Sequence, residues 1–266
     1  MGKIVFGMIS PHPPLLIPEI GGARIREVER TDSSLDRAAK RLVSFFPDTV
    51  VIITPHGNIS QSTVRVYGSP VLEGDFSMFG LKSVRMSCKG DPALADMTVA
   101  SCKGKKLRAE TVQVPLLDHG IMVPLHYIKK SGYNKPVMPV AVSLAPLSEL
   151  FDFGRALADA VKESGKDVAV VASADMSHRL TKDAPSGYSP KGAVFDRRLT
   201  ELVRENDVKG ILSFDPELAE EAGQDALWSI AILLGALEGS GFRPEVLSYE
   251  GPFGVGYMVA QFMKGE

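Results

Sequence analysis

Hydrophobic positions in this chain gather into short, near-continuous runs separated by longer amphipathic stretches. Ile4 to Ile9, Val50 to Thr54, Val137 to Ser143 and Val168 to Ala172 are almost uniformly apolar. Strands with one wet face alternate, so unbroken runs predict strands covered on both faces, as in a parallel sheet. Between them, helical stretches are predicted at Leu35 to Phe46, after the capping candidates Asp32, Ser33 and Ser34, and at Pro92 to Cys102, after Asp91. A third spans Leu147 to Gly165, with Gly165 as its stop, a fourth begins near Ile121, and a long apolar one runs from Ala226 to Leu237. Val64 to Gly80, Ser83 to Ser87 and Thr111 to Val114 read as shorter strands or loops. Arg243 to Ser248 and Val255 to Phe262 read as closing strands around the turn Glu250 to Gly254.

The βαβα alternation predicts an α/β fold in three layers, a central mostly parallel, mixed sheet flanked by helices. No internal repeat, low-complexity run or linker divides residues 1–266, and this length suits one large domain. The loop Thr181 to Gly192, with Lys182, Asp183, Pro185, Gly187 and Pro190, is the candidate for a mobile lid.

Thirty basic residues against 32 acidic ones leave a formal charge of −2, which supplies no basic face for nucleic acid and no anchor to anionic lipid. No apolar stretch reaches the roughly 20 residues that cross a bilayer, and Met1 to Met8 lacks both a cationic region and a small-residue cleavage site. A cytoplasmic protein acting on small molecules is expected. The two cysteines, Cys88 and Cys102, lie in no CxxC or Cys/His cluster, so neither a disulfide framework nor a thiolate zinc site is indicated.

Against this plain background the histidines carry the chemistry. His12 follows the first apolar run in Ser10-Pro11-His12-Pro13-Pro14, and His56 follows the second in Pro55-His56-Gly57. Open α/β sheets bind ligands at the carboxyl ends of their strands. Imidazole is a common ligand for divalent transition metals, and two histidines with one carboxylate make a facial triad with open positions. His178 ends a third such run, Ser173-Ala174-Asp175-Met176-Ser177-His178, as a general acid/base or a further ligand, with Asp175 or Ser177 to orient it. His119, in Asp118-His119-Gly120, stands at a predicted helix N-terminus, where the dipole favours a neutral ring that donates a hydrogen bond to a bound oxygen. His126 falls inside that helix and reads as structural. For the carboxylate, Asp225 heads the Ala226 helix as ligand or N-cap, while Glu250 and Glu221 compete.

These motifs, taken in order, resemble the class III extradiol ring-cleavage dioxygenase superfamily, the LigB-like proteins, near the Memo and AmmeMemoRadiSam dioxygenase-like branch. The resemblance spans nearly the whole chain. It implies His12 and His56 as ligands of Fe(II), with Zn(II) or another divalent ion as alternative occupants, and Asp225 at the position of the family's glutamate, where Memo-like proteins carry a cysteine. By the same resemblance His178 is the acid/base histidine and His119 hydrogen-bonds a bound oxygen. The implied activity is extradiol cleavage of a catechol-like small molecule with O2, in a chain that can form a homo-oligomer. The implied alternative is a Memo-like metal-binding protein that leaves rings intact and works in a redox or radical-enzyme pathway.

Overall fold

A computed structural model describes residues 1–265. In chain order the elements begin with strand β1 (Lys3–Ser10), helices α1 (Pro18–Gly21) and α2 (Glu29–Ser44), and strands β2 (Thr49–Thr54), β3 (Val64–Tyr67), β4 (Val71–Phe76) and β5 (Leu81–Lys89). They continue with α3 (Pro92–Gly104), β6 (Ala109–Val112), α4 (His119–Lys130), β7 (Val137–Ala141), α5 (Leu147–Ser164) and β8 (Asp167–Ser173). The last third holds α6 (Pro190–Glu205), α7 (Val208–Leu212), α8 (Pro216–Ala222), α9 (Ala226–Leu237), β9 (Phe242–Glu250) and β10 (Tyr257–Lys264).

All four apolar runs are strands, and they are neighbours. The eight-stranded sheet runs β6-β3-β7-β2-β8-β1-β10-β9, with β7, β2, β8 and β1 mutually parallel at its centre. β3 joins β7 antiparallel, β10 joins β1 antiparallel and β9 closes the edge, which makes the sheet mixed, as its pattern predicts. One apolar core lies under α3, α5 and α9, and a second under α2 and α4 on the opposite face. Every residue of β2 is buried, which is why the run carries no polar alternation. The expected Val64 to Gly80 segment splits at Gly68: β3 enters the main sheet, whereas β4 pairs with β5 in a separate hairpin.

Two local expectations change. Helix α2 starts at Glu29, so Asp32, Ser33 and Ser34 lie inside it and do not cap it. Its free amide and hydroxyl at Thr31 instead donate to Glu250 Oε1, at 2.7 and 2.6 Å, so a carboxylate remote in sequence satisfies and charge-stabilises the helix start. The Thr181 to Gly192 loop is pinned, with Leu180 N bonded to Gly254 O, Ser186 N to His178 O and Ser189 N to Arg179 O. By contrast, Gly165 does end α5 in the left-handed conformation, at φ +73°.

Helices α5 and α9 approach at backbone level through Gly154 and Gly235. A Cβ at Gly235 would lie 1.9 Å from Phe151 O, and one at Gly154 would lie 2.1 Å from Ile232 O. Replacing glycine within a helix by alanine contributes about 1 kcal/mol from propensity, but a clash with backbone in a packed interior costs up to about 3 kcal/mol. The clash wins, so Gly235→Ala is expected to lower stability by about 2 kcal/mol in urea denaturation. An unchanged or raised midpoint would show that the close approach imposes no constraint.

Candidate metal centre

Four parallel strands end at one edge, and three of them deliver the site. At the end of β1, the His12 backbone N–H donates to Asp175 Oδ1 at 2.8 Å. The His12 Nδ1 lies 2.8 Å from Ser173 Oγ, the last residue of β8, and Ser173 Oγ donates its own proton to Gly120 O at 2.5 Å. Because that hydroxyl proton is already committed, Oγ accepts from Nδ1–H, and the Nε2 lone pair is left facing the site. At the end of β2, the His56 N–H donates to Thr54 Oγ1, which donates to Asp118 Oδ1 at 2.9 Å. His56 Nε2 then lies 2.9 Å from His12 Nε2, with the two rings perpendicular.

The carboxylate comes from the helix side. Asp225 occupies the N-cap position of α9 without capping it. Gln224 Oε1 accepts from Leu227 N in its place, at 2.8 Å. Thus freed, Asp225 accepts the Asp175 N–H on Oδ1 at 2.9 Å and presents Oδ2 3.4 Å from both His12 Nε2 and His56 Nε2. Glu250 is occupied at α2, and Glu221 meets Arg179 through its backbone carbonyl.

Three donor atoms separated by 2.9, 3.4 and 3.4 Å match a single cation. An ion with bonds of about 2.1 Å holds ligands at right angles about 3.0 Å apart and at tetrahedral angles about 3.4 Å apart. Two imidazole nitrogens and one carboxylate oxygen suit borderline divalent ions, with open positions remaining. His119 stands beside this triad, its ring 4.2 Å from that of His56, and the donor atoms of His12, His56 and His119 lie within 4.8 Å of one another. The Phe79 ring meets His119 edge-on at 5.1 Å.

His178 is held by the backbone around it: Met176 N to Gly256 O, Ser177 N to Asp196 Oδ1 at 2.8 Å, and His178 N to Ala222 O. Its Nδ1 faces Met176 O at 3.2 Å, and Nε2 has no hydrogen-bond partner among the described residues. The expectation that Asp175 or Ser177 orients this ring is corrected: Asp175 serves His12 and Asp225, and Ser177 Oγ donates to Ala222 O. Ser173 and Asp196 are the supporting residues that pattern reading passes over, and Asp175, singled out there for His178, supports His12 and Asp225. Their signal is small polar residues at the buried end of an apolar strand and on the inner face of α6. Cys88 and Cys102 are free, and burial pushes their thiols up to about 11 and about 12, away from nucleophilic use.

Burial pulls the His12 imidazole down, but the carboxylates of Asp175 and Asp225 outweigh it and push it up to about 9. Burial and the charge on His12 push His56 down to about 4; burial, with His56 and His12, pushes His119 down to about 3. Asp225, although buried, is lowered by His12. A single proton on His12 thus does in the metal-free cluster what a cation would do. A histidine whose folded pKa lies above its unfolded value of about 6.5 stabilises fully below that value, and the contribution is lost as pH rises through about 9. On the acid side, the depressed His56 and His119 oppose Asp196, whose carboxyl burial raises to about 7, so the alkaline limb is the readable one. The melting temperature of metal-free protein is expected to fall between pH 7 and 9, with a smaller fall after zinc loading displaces the proton. Equal slopes for the two forms would contradict this charge balance.

No helix among the described residues is long and apolar enough to cross a membrane. Protein CA_C1420 of Clostridium acetobutylicum is 36% identical over 262 residues, covering 94% of this chain and 56% of that protein, so the chain spans little more than half of this relative. The 3,4-dihydroxyphenylacetate 2,3-dioxygenase of Escherichia coli is 24% identical over 257 residues, covering 89% of this chain and 91% of the enzyme. In fold, the crystal structure of the uncharacterized Escherichia coli K12 protein JW3007 superposes with a TM-score of 0.67 at 16% identity, over 97% of this chain and 99% of that one. Residues 7–260 match the model of the catalytic LigB subunit of aromatic ring-opening dioxygenase, and the chain therefore belongs to the LigB family.

Proposed function

We propose that this protein is a non-haem Fe(II)-dependent extradiol dioxygenase that opens the ring of a catechol-type small molecule with O2. The observation that carries the reading is the convergence of His12 Nε2, His56 Nε2 and Asp225 Oδ2 within 3.4 Å of one another, on the sheet edge that also bears His119 and His178. Bound Fe(II) would supply open positions for substrate and O2 and a path for electrons between them. The relative named as a dioxygenase of 3,4-dihydroxyphenylacetate supports a ring with adjacent hydroxyls.

The side chains divide the remaining tasks. Ser173 holds His12 in the tautomer that turns Nε2 inward, and Asp175 locks His12 and Asp225 to one another. His178, with Nδ1 turned to a carbonyl, offers Nε2 to take a proton from a substrate hydroxyl and return it when the ring opens. His119, kept neutral by burial, donates a hydrogen bond to a bound oxygen. A second reading, a Memo-like metal protein that leaves rings intact, draws on Asp225 itself, which is one methylene shorter than the family's glutamate.

Metal content after anaerobic purification tests the site. Wild type is expected to carry near-stoichiometric iron, His56→Ala none, and Ser173→Ala to bind it about 10- to 100-fold more weakly, the usual cost of removing a hydrogen bond behind a ligand. Undiminished iron in His56→Ala would overturn the ligand set. In an oxygen electrode with catechols, His178→Ala is expected to keep its iron and lose about 10²- to 10⁴-fold in rate. Iron-loaded wild type that consumes no O2 with any catechol would overturn ring cleavage and favour the second reading.

A further inference from the structure

The His178 ring has one polar contact of its own, Nδ1 with Met176 O at 3.2 Å. A side chain so lightly held stands where its backbone puts it, and that backbone lies beyond Ser173, the last residue of β8. Three backbone bonds fasten the segment: Met176 N to Gly256 O, Gly256 N to Ser177 O and His178 N to Ala222 O. A fourth contact differs in kind. The Ser177 N–H donates at 2.8 Å to Oδ1 of Asp196, a side chain of α6 that lies 19 residues further along the chain.

Asp196 reaches Ser177 because of where it falls on α6. Gly192 and Asp196 stand four positions apart and so share one face of the helix. Gly192, with no Cβ, lets Ser177 Oγ pack against that face, and Asp196 takes the Ser177 amide. The carboxylate is held in turn: Oδ2 accepts from the Tyr249 hydroxyl of β9 at 2.7 Å, and Gly256 lies so close that a Cβ there would overlap Oδ2. Asp196 is 0% exposed, both of its partners are neutral donors, and burial raises its carboxyl to about 7. A carboxyl raised from about 3.9 in the unfolded chain lowers stability increasingly as pH climbs between the two values, and fully above about 7. Stability at neutral pH therefore does not explain this carboxyl; the placement of Ser177, and with it His178, does.

We propose that Asp196 is the positioning residue of His178: it grips Ser177 from α6, is gripped itself by Tyr249 and Gly256, and so fixes where the His178 ring stands at the sheet edge. The consequence for catalysis rests on the proposed ring cleavage, in which His178 moves the proton; the placement of the ring does not. Proton transfer needs the two heavy atoms within about 2.6 to 3.2 Å of each other, so a ring free to shift by an ångström is a poor acid or base. The device is separate from the one that sets the candidate ligands. Asp175 serves His12 and Asp225, whereas Asp196 makes no hydrogen bond to His12, His56 or Asp225 among the described residues. Removing Asp196 therefore disturbs the acid/base histidine and spares the metal.

The test compares iron-loaded wild type, Asp196→Ala, Asp196→Asn and Tyr249→Phe by O2 uptake with catechol. It reads His178 independently by NMR in zinc-loaded protein labelled with carbon-13 at histidine Cε1, the His178 signal being identified by its loss in His178→Gln. Asp196→Ala is expected to keep wild-type iron content and KM and to lose about 10²-fold in kcat, the scale on which a misplacement of about 1 Å acts. Its His178 signal is expected to shift or split while those of His12 and His56 stay. Asp196→Asn keeps an acceptor for the Ser177 N–H and turns a donor to the Tyr249 oxygen, so it is expected to restore the His178 signal and most of the lost rate. An unmoved His178 signal or a wild-type kcat in Asp196→Ala would overturn the positioning role, as would an Asp196→Asn variant impaired as deeply as Asp196→Ala. If Asp196→Ala holds no iron, Tyr249→Phe decides, since it releases one side of the carboxyl only: a displaced His178 signal with a smaller loss in kcat supports the role, and an unmoved signal overturns it. Wild type that consumes no O2 would overturn ring cleavage alone, because the His178 signal still tests the placement.

Discussion

The short segment at the end of β8 holds the site together. Ser173, Ala174 and Asp175 continue the β8 register past the point where β1 ends: Ser10 pairs with Ser173, and Ala174 N still bonds to Ser10 O. From that extension Ser173 takes the Nδ1 proton of His12, Asp175 Oδ1 takes its backbone N–H, and the Asp175 N–H fixes Asp225. Two of the three converging donors are therefore positioned by three consecutive residues, at the end of a central strand of the sheet. Rigid placement matters because ligand atoms must converge to within a few tenths of an ångström, and loops alone rarely achieve this.

Charge explains why the convergence needs such support. Two imidazole nitrogens 2.9 Å apart, with a carboxylate oxygen 3.4 Å from each, repel unless a positive charge sits among them. Neighbouring carboxylates favour that charge on His12 and burial disfavours it on His56 and His119, so the cluster is arranged for one cation and not for three. The same balance applies whether the cation is a proton or a metal ion, so the electrostatics that a cation would need are already in place in the candidate site.

The additions to the sheet give the edge its surroundings. The β4–β5 hairpin leaves the main sheet after β3, and its tip returns over His119. On the other side, α9 crosses α5 at backbone distance through Gly154 and Gly235, and its N-cap residue, Asp225, stands at the strand ends. A wall and a candidate ligand thus come from parts of the chain far apart in sequence, both referred to the same four parallel strands.

The sequence by itself determined the central strands, most of the helices and the candidate histidines. Continuous burial on both faces writes an unbroken apolar run, and the end of such a run marks the sheet edge where His12, His56 and His178 stand. Asp225 was legible as a carboxylate at a helix start, but not that Gln224 would take over the cap and free it. Tertiary structure alone decided the long-range pairings. Glu250 is drawn to the amide and hydroxyl of Thr31 in the first turn of α2, Asp175 bonds to His12 and Asp225, and the segment after β3 folds out as a hairpin. Each depends on which hydrogen-bond donor comes within about 3 Å once the sheet has formed. Local periodicity records which face of an element is buried; it carries no information about which distant group a polar side chain will meet.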